Sequence, residues 1–246
     1  GGSFAFVGLD DGTYYLSASS SKPWGGVDAT DAFLISYEGT TPTLSGIRLL
    51  ASDVNVSGST NSQDALAAMY RAFGFPSNYW QSFGPDWVFL MDTITVNGSD
   101  VSNIVHRSLC RADVNGSNPL SFMRLPEVTF QEKGEEMLVA KNREVNIPIK
   151  VTMPQTLGAI TLKLDYPEQL IQINDVVVDV NHPNIVWVDN NGTLEVGWFT
   201  DPAGRELQAG DVMLTLNVTP TENASLFEYP FTINVHAESS IANNNG

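Results

Sequence analysis

Apolar and polar residues alternate along the C-terminal half of the chain. Val145-Asn146-Ile147-Pro148-Ile149-Lys150-Val151 changes face at every step, as does Ala159-Ile160-Thr161-Leu162-Lys163-Leu164-Asp165-Tyr166. A period of two is that of a strand with one face buried. Similar runs occupy Leu170–Val178, Ile185–Val188, Leu194–Phe199, Val212–Val218 and Phe231–Val235. Turn residues separate them about every 8–15 residues, and Asp189-Asn190-Asn191-Gly192 is the clearest turn. Pro148, Pro167 and Pro230 fall near strand ends or edges, where a missing N–H is tolerated. Many short strands at even spacing predict a β-sandwich over 126–236.

The N-terminal half reads differently. Ser62 to Phe73 is rich in helix formers without an internal breaker and predicts a helix. Asp31 to Tyr37 and Ser102 to Leu109 predict shorter helices, and Asp86 to Val96 a strand or hairpin arm. Residues 1–20 alternate through Phe4, Phe6, Leu9, Tyr14 and Leu16, with Asp11-Gly12 as a hairpin turn. Their pattern Gly-x-Phe-x-Phe-x-x-Leu-x-x-Gly-x-Tyr-x-Leu resembles the final strands of small prealbumin-like or carboxypeptidase-regulatory-like repeats of bacterial surface proteins. The expected fold class is mostly β with a small α part. The expected divisions are terminal strands of a truncated sandwich module (1–22), a mixed segment (23–122, with 75–111 inserted), a β-sandwich (123–238) and a polar linker (239–246).

Length and charge narrow the function. A chain of 246 residues holds one large or two ordinary domains. Only 16% of residues are charged, yet the formal net charge is −16. Nucleic acid and anionic membrane both call for a basic surface, so neither is an expected partner. Cations are compatible with this balance. No run of about 18 apolar residues marks a membrane span. The Gly-Gly start within strand-like sequence leads us to expect a mature fragment of something longer. Cys110 is alone, which excludes an internal disulfide and a cysteine-based zinc site.

The most informative stretch is Asp53-Val54-Asn55-Val56-Ser57-Gly58-Ser59-Thr60-Asn61-Ser62-Gln63-Asp64. Calcium takes six to eight oxygen ligands, and a twelve-residue loop supplies them from positions 1, 3, 5, 7, 9 and 12 around a glycine at 6. Those positions hold Asp53, Asn55, Ser57, Ser59 (through its carbonyl), Asn61 and Asp64, with Gly58 sixth. The same residue types also build ordinary turns, and Asp64 also suits the start of a helix. Serine at position 5 and aspartate at 12 leave two formal charges. The expected affinity is therefore in the weak extracellular range, roughly 10⁻⁴ M.

This loop, followed by Asn-Ser-x-Asp-Ala-Leu opening a helix and with no helix expected before it, resembles a dockerin repeat. Dockerins carry two such repeats and bind cohesins. A second repeat looks split. Gly26-Val27-Asp28-Ala29-Thr30-Asp31-Ala32 matches the back of the loop, and Asp113-Val114-Asn115-Gly116-Ser117 matches its front. The resemblance implies a second, discontinuous calcium site from Asp113, Asn115, Ser117, Gly26 (carbonyl), Asp28 and Asp31. The alternative is an Asx-type turn at 113–117 and a plain helix start at Asp28 and Asp31. Two calcium ions are thus expected. With Trp-Gly-Gly-Val-Asp-Ala-Thr-Asp-Ala and Asp-Trp-Val-Phe, the arrangement resembles dockerin-like modules of large surface or secreted proteins of Bacteroidetes-type bacteria.

The sandwich resembles a cohesin-type, jelly-roll or immunoglobulin-like domain. The features are Val145-Asn146-Ile147-Pro148-Ile149, Leu164-Asp165-Tyr166-Pro167-Glu168-Gln169-Leu170, Gly192-Thr193-Leu194-Glu195-Val196-Gly197-Trp198 and Leu207-Gln208-Ala209-Gly210-Asp211-Val212-Met213-Leu214. No His-Glu-x-x-His, Gly-x-Ser-x-Gly or phosphate-loop motif occurs, and His106, His182 and His236 stand apart in the sequence. The combined expectation is a non-catalytic, secreted or cell-surface scaffolding, adhesion or anchoring module with a cohesin- or dockerin-type protein partner. The alternative is an accessory region of a secreted glycoside hydrolase that binds polysaccharide, with Trp80, Trp87, Trp187 or Trp198 stacking on sugars.

Overall fold

The computed structural model describes residues 3–117, 142–178, 185–200, 203–221, 233–235 and 239–242. In chain order its elements are β1 (Gly12–Leu16), α1 (Ala29–Glu38), α2 (Ile47–Ser52), α3 (Ser62–Ala72), β2 (Trp87–Phe89), β3 (Asp92–Val96) and β4 (Ser108–Cys110). There follow β5 (Val145–Lys150), β6 (Gln155–Leu157), β7 (Ala159–Asp165), β8 (Ile171–Val177), β9 (Ile185–Asp189), β10 (Thr193–Phe199), β11 (Arg205–Leu207), β12 (Val212–Pro220), β13 (Asn234–Val235) and β14 (Ser240–Ala242). The fold is mostly β with a small α part.

Two antiparallel sheets form the sandwich: β13-β7-β10-β9, with β14 also on β7, and β5-β12-β8. Leu162, Leu164, Leu194, Val196 and Trp198 of the first sheet meet Ile173, Leu214, Leu216 and Val218 of the second in one core. The period of two builds it, because alternate side chains share a face. In β8 the buried positions change phase between Ile173 and Val176, where a register irregularity against β12 intervenes. Pro148 lies in the edge strand β5. Asn191 and Gly192 both take left-handed φ (50° and 99°), making the two-residue β9–β10 hairpin turn for which Asn-Gly is suited. Replacing the fully buried Leu194 by alanine is expected to cost about 2–5 kcal/mol, read by denaturant unfolding.

One end of the first sheet is buried on both faces. Ala159, Ile160, Thr161 and Leu162 of β7 are all buried, as are Val196, Gly197, Trp198 and Phe199 of β10. A solvent-facing sandwich would expose every second residue. The covering layer is helical: α1 packs on β7 and β10, and α3 packs on α1. Ala29, Ala32, Phe33, Ile35, Ala65, Ala68, Met69 and Phe73 share a second core with Ala159, Val186, Phe199 and Ala242. Ala159, Thr161 and Gly197 on that face are small, which lets the helices approach, and Phe199 at its end joins the second core. Farther along, the Lys163–Glu195 ion pair (3.6 Å) marks the return of that face to solvent.

Several local expectations need correction. No helix forms at 102–109. Asn103 sits at φ 60°, which breaks a right-handed helix, and Ser108–Cys110 pairs instead with β2. The 86–96 arm splits in two, because β2 pairs with β4 while β3 pairs with β1. The expected hairpin at Asp11-Gly12 is therefore absent: β1 takes its partner from residues 92–96, and Asp11 Oδ1 accepts a hydrogen bond from Gly98 N (2.6 Å). A helix does precede Asp53. α2 has Gly46 at its N-cap, makes no side-chain cap, and is too short for a periodic signal. The tail is not all linker, since β14 hydrogen-bonds β7. The three-residue β6 and β11, which pair with each other, have no sequence signal. The strand expected over 231–235 lies partly outside the described residues, and Pro230, His182 and His236 lie wholly outside them.

Candidate metal centre

The loop from Asp53 to Asp64 joins α2 to α3 and turns its oxygens inward. Ser57 N donates to Asp53 Oδ1 (2.9 Å) and Asn55 Oδ1 (3.0 Å), and the Ser57 hydroxyl to the Ser59 carbonyl (3.2 Å). Asp64 closes the turn: Oδ1 accepts from Asn55 N (3.1 Å) and Oδ2 from Asn61 N (3.0 Å). Asn61 Oδ1 caps α3 by accepting from Gln63 N (2.8 Å). Asn61 and Asp64 together form a capping box.

The second set repeats this wiring between residues 84 apart in the sequence. Ser117 N donates to Asp113 Oδ1 and Asn115 Oδ1 (both 2.8 Å), and the Ser117 hydroxyl to the Gly26 carbonyl (2.7 Å). Asp31 occupies the place of Asp64: Oδ1 accepts from Asn115 N (3.0 Å) and Oδ2 from Asp28 N (3.1 Å). Asp28 Oδ1 caps α1 by accepting from Thr30 N (2.8 Å), in the same capping box. Val54 and Val114, each following the first aspartate, are both fully buried. Val56 and Gly116 both take left-handed φ, 57° and 77°. A β-branched residue holds that conformation only where its surroundings fix it. All twelve residues singled out in the sequence therefore fall into two loops of one design.

Burial raises the pKa of Asp31 well above the usual carboxylate range, and the charges of Asp28 and Asp113 raise it further. Burial likewise raises Asp28 and Asp64; at Asp64 the Asp53 charge adds to it. Clustered, desolvated carboxylates favour a cation between them. Among the described residues no group of three or more His, Cys, Asp or Glu side chains forms a metal cluster by itself. The donor sets here draw on Asn, Ser and backbone carbonyls as well as Asp. That all-oxygen chemistry fits calcium rather than a transition metal.

Sequence reasoning missed four contributors. Arg111 lies beside the first loop, its Nη1 donating to the Asp53 carbonyl (2.6 Å) and its Nε to the Pro85 carbonyl (2.8 Å). Thr161 Oγ1 accepts from Ala29 N (3.1 Å), tying the first residue of α1 to the sandwich. Ser240 of β14 stands against Asp28 and helps to lower its pKa, opposing the effect of burial. Gly197 receives α3: a Cβ there would lie 2.5 Å from Phe73 Cε2 and 3.0 Å from Met69 Cε. Only Gly197 carried a readable signal, since an isolated glycine inside a strand marks a close approach.

No protein-family model matches the chain, and no curated protein matches it. Solved structures similar to it are cohesin modules. A non-cellulosomal cohesin from the hyperthermophilic archaeon Archaeoglobus fulgidus shares 18% identity at a TM-score of 0.35, over 43% of this chain and 72% of that one. The third ScaC cohesin of Acetivibrio cellulolyticus, in complex with the ScaB dockerin, shares 16% at 0.36, over 42% and 77%. A type I cohesin–dockerin complex from Clostridium thermocellum shares 18% at 0.36, over 43% and 76%. Among the described residues no helix is long and apolar enough to cross a membrane.

Proposed function

We propose that the chain is a non-catalytic, calcium-stabilised protein-assembly module of a secreted or cell-surface protein, serving scaffolding, adhesion or anchoring. Its helical part is dockerin-like, its sandwich cohesin-like, and the two dock within one chain. The observation that carries this reading is the packing of α1 on the small-residue face of β7 and β10, sealed by the Ala29–Thr161 hydrogen bond. A sheet face of Ala159, Thr161 and Gly197 is made to receive a protein surface. Two calcium ions, one in each loop, hold the starts of α1 and α3. A helical part this small has little core of its own and gains by metal binding.

The sandwich tryptophans support protein rather than polysaccharide as the partner. Trp198 is fully buried, and Trp187 packs against the sandwich core.

Calorimetric titration of the full chain with calcium tests the reading. Two ions per chain are expected, and Asp113→Ala should bind one. Unchanged stoichiometry in that variant would remove the discontinuous site, and no binding by the parent chain would remove the calcium reading altogether.

A further inference from the structure

The two loops share one wiring but not one environment. The charges of Asp28 and Asp113 both act on Asp31 in the discontinuous set, whereas in the contiguous loop the Asp53 charge acts on Asp64. Asp113 is fully buried where its counterpart Asp53 is half-buried, while Asp31 and Asp64 are both fully buried and Ser57 and Ser117 both exposed. The Arg111 guanidinium, fixed on the Asp53 and Pro85 carbonyls, adds a positive charge beside the contiguous loop. Calcium affinity is set by ligand charge and site rigidity, and both favour the discontinuous set.

That set also touches the sandwich. Asp28 is followed directly by Ala29, whose N–H donates to Thr161 Oγ1 of β7 (3.1 Å, buried). The Ser240 hydroxyl oxygen of β14 is buried beside the Asp28 carboxylate and has no hydrogen-bond partner within bonding distance among the described residues. An orphaned oxygen at the rim of an all-oxygen donor set fits a cation-centred site, reached directly or through a metal-bound water. Among the described residues the contiguous loop makes no such bridge: its hydrogen bonds run to residues 49–64, 84 and 111.

We propose, on the strength of the calcium reading above, that the discontinuous site is the tighter of the two and that its occupancy and the docking of α1 on the sandwich reinforce each other. The metal orders Asp28, and Asp28 sets the entry of α1 against β7 and β14. By linkage, docking must then raise calcium affinity at this site by the factor by which calcium favours docking. The contiguous loop carries the weaker ion and is uncoupled from docking. The chain thereby uses one calcium to hold its two parts together and the other to brace α3.

The test is calcium calorimetry on the full chain and three variants. Asp53→Ala should lose the weaker ion and keep the tighter. Asp113→Ala should do the reverse. The double variant Thr161→Val/Ser240→Ala changes only the sandwich side, leaves all twelve residues of the two loops in place, and preserves volume at the buried Thr161. It should weaken the tighter ion about tenfold and leave the weaker one within about twofold, the scale expected for one lost hydrogen bond and one lost oxygen contact. Loss of the tighter ion in Asp53→Ala would overturn the order, and unchanged affinities in the double variant would overturn the coupling. In both cases two ions in the parent chain would leave the calcium reading standing, whereas no calcium binding by the parent chain would overturn both. The double variant keeps the inference falsifiable even if Asp113→Ala fails to fold.

Discussion

Replacing Gly197 by leucine should push the helical layer off the sandwich while leaving both parts folded. The first added carbon already lies 2.5 Å from Phe73 Cε2, and the rest of the leucine has to occupy space that Phe73 and Met69 fill. Both are buried, at 6% and 0% exposure, so neither ring nor thioether has free volume to move into. Overpacking of this kind costs about 1–3 kcal/mol when the site can relax. Here the surface can relax by separating, because Gly197 lies on the face that carries no sandwich core residue. Small-angle scattering should report a larger radius of gyration for the variant. Cys110, buried between β2 and the Trp24–Gly25 segment, supplies the control. Its thiol should stay as slow to react as in the parent chain, showing that the helical part is still folded. An unchanged radius of gyration would mean that Phe73 finds another rotamer and that the contact does not hold the two parts together.

Removal of calcium should have the largest effect on stability. Each site occupied at a hundredfold excess over its dissociation constant adds about 2.7 kcal/mol to the native state, so two sites add roughly 5 kcal/mol. In a helical part of this size, that is about 20 °C or more in the melting midpoint. The comparison is a thermal melt in about 10 mM calcium, chosen against the weak-range affinity of roughly 10⁻⁴ M, and in EDTA, followed by Cys110 reactivity and far-ultraviolet circular dichroism. Magnesium, which resists dehydration and demands a stricter octahedron, should replace little of the effect. Equal midpoints in calcium and EDTA would reduce both loops to hydrogen-bonded turns with capping boxes. The clustering of Asp28, Asp31 and Asp113 makes the direction plain. Their mutual repulsion destabilises the metal-free loop, and a divalent cation reverses the sign of that contribution.

The Gly197 and calcium experiments probe different links. The first breaks the contact between helices and sheet while sparing every proposed ligand, and the second removes the proposed ligand field while sparing every apolar contact. If the coupling at Asp28 holds, the Gly197→Leu variant should also bind its tighter calcium more weakly, because undocking removes the Thr161 and Ser240 contacts together.

Local order along this chain is set by local residues. The period of two in β7, β8, β10 and β12, the Asn191-Gly192 turn and the helix starting at Ser62 are each decided within about ten residues. Propensity, turn chemistry and capping act over that range. The spacing from Asp53 to Asp64 belongs to the same class. So does the copy of its front half in Asp113-Val114-Asn115-Gly116-Ser117, because a ligand loop is a short-range object. What only the tertiary structure decided is which local pieces meet. Alternation in Gly12–Leu16 marks a strand but does not name its partner, which proved to be Asp92–Val96. Ala159 and Thr161 look unremarkable until α1 covers them, and Arg111 has no visible tie to Asp53 across 58 residues of sequence. Such pairings depend on which distant surfaces bury the most area once loop closure is met, and that competition among whole-chain arrangements leaves no mark within a short window.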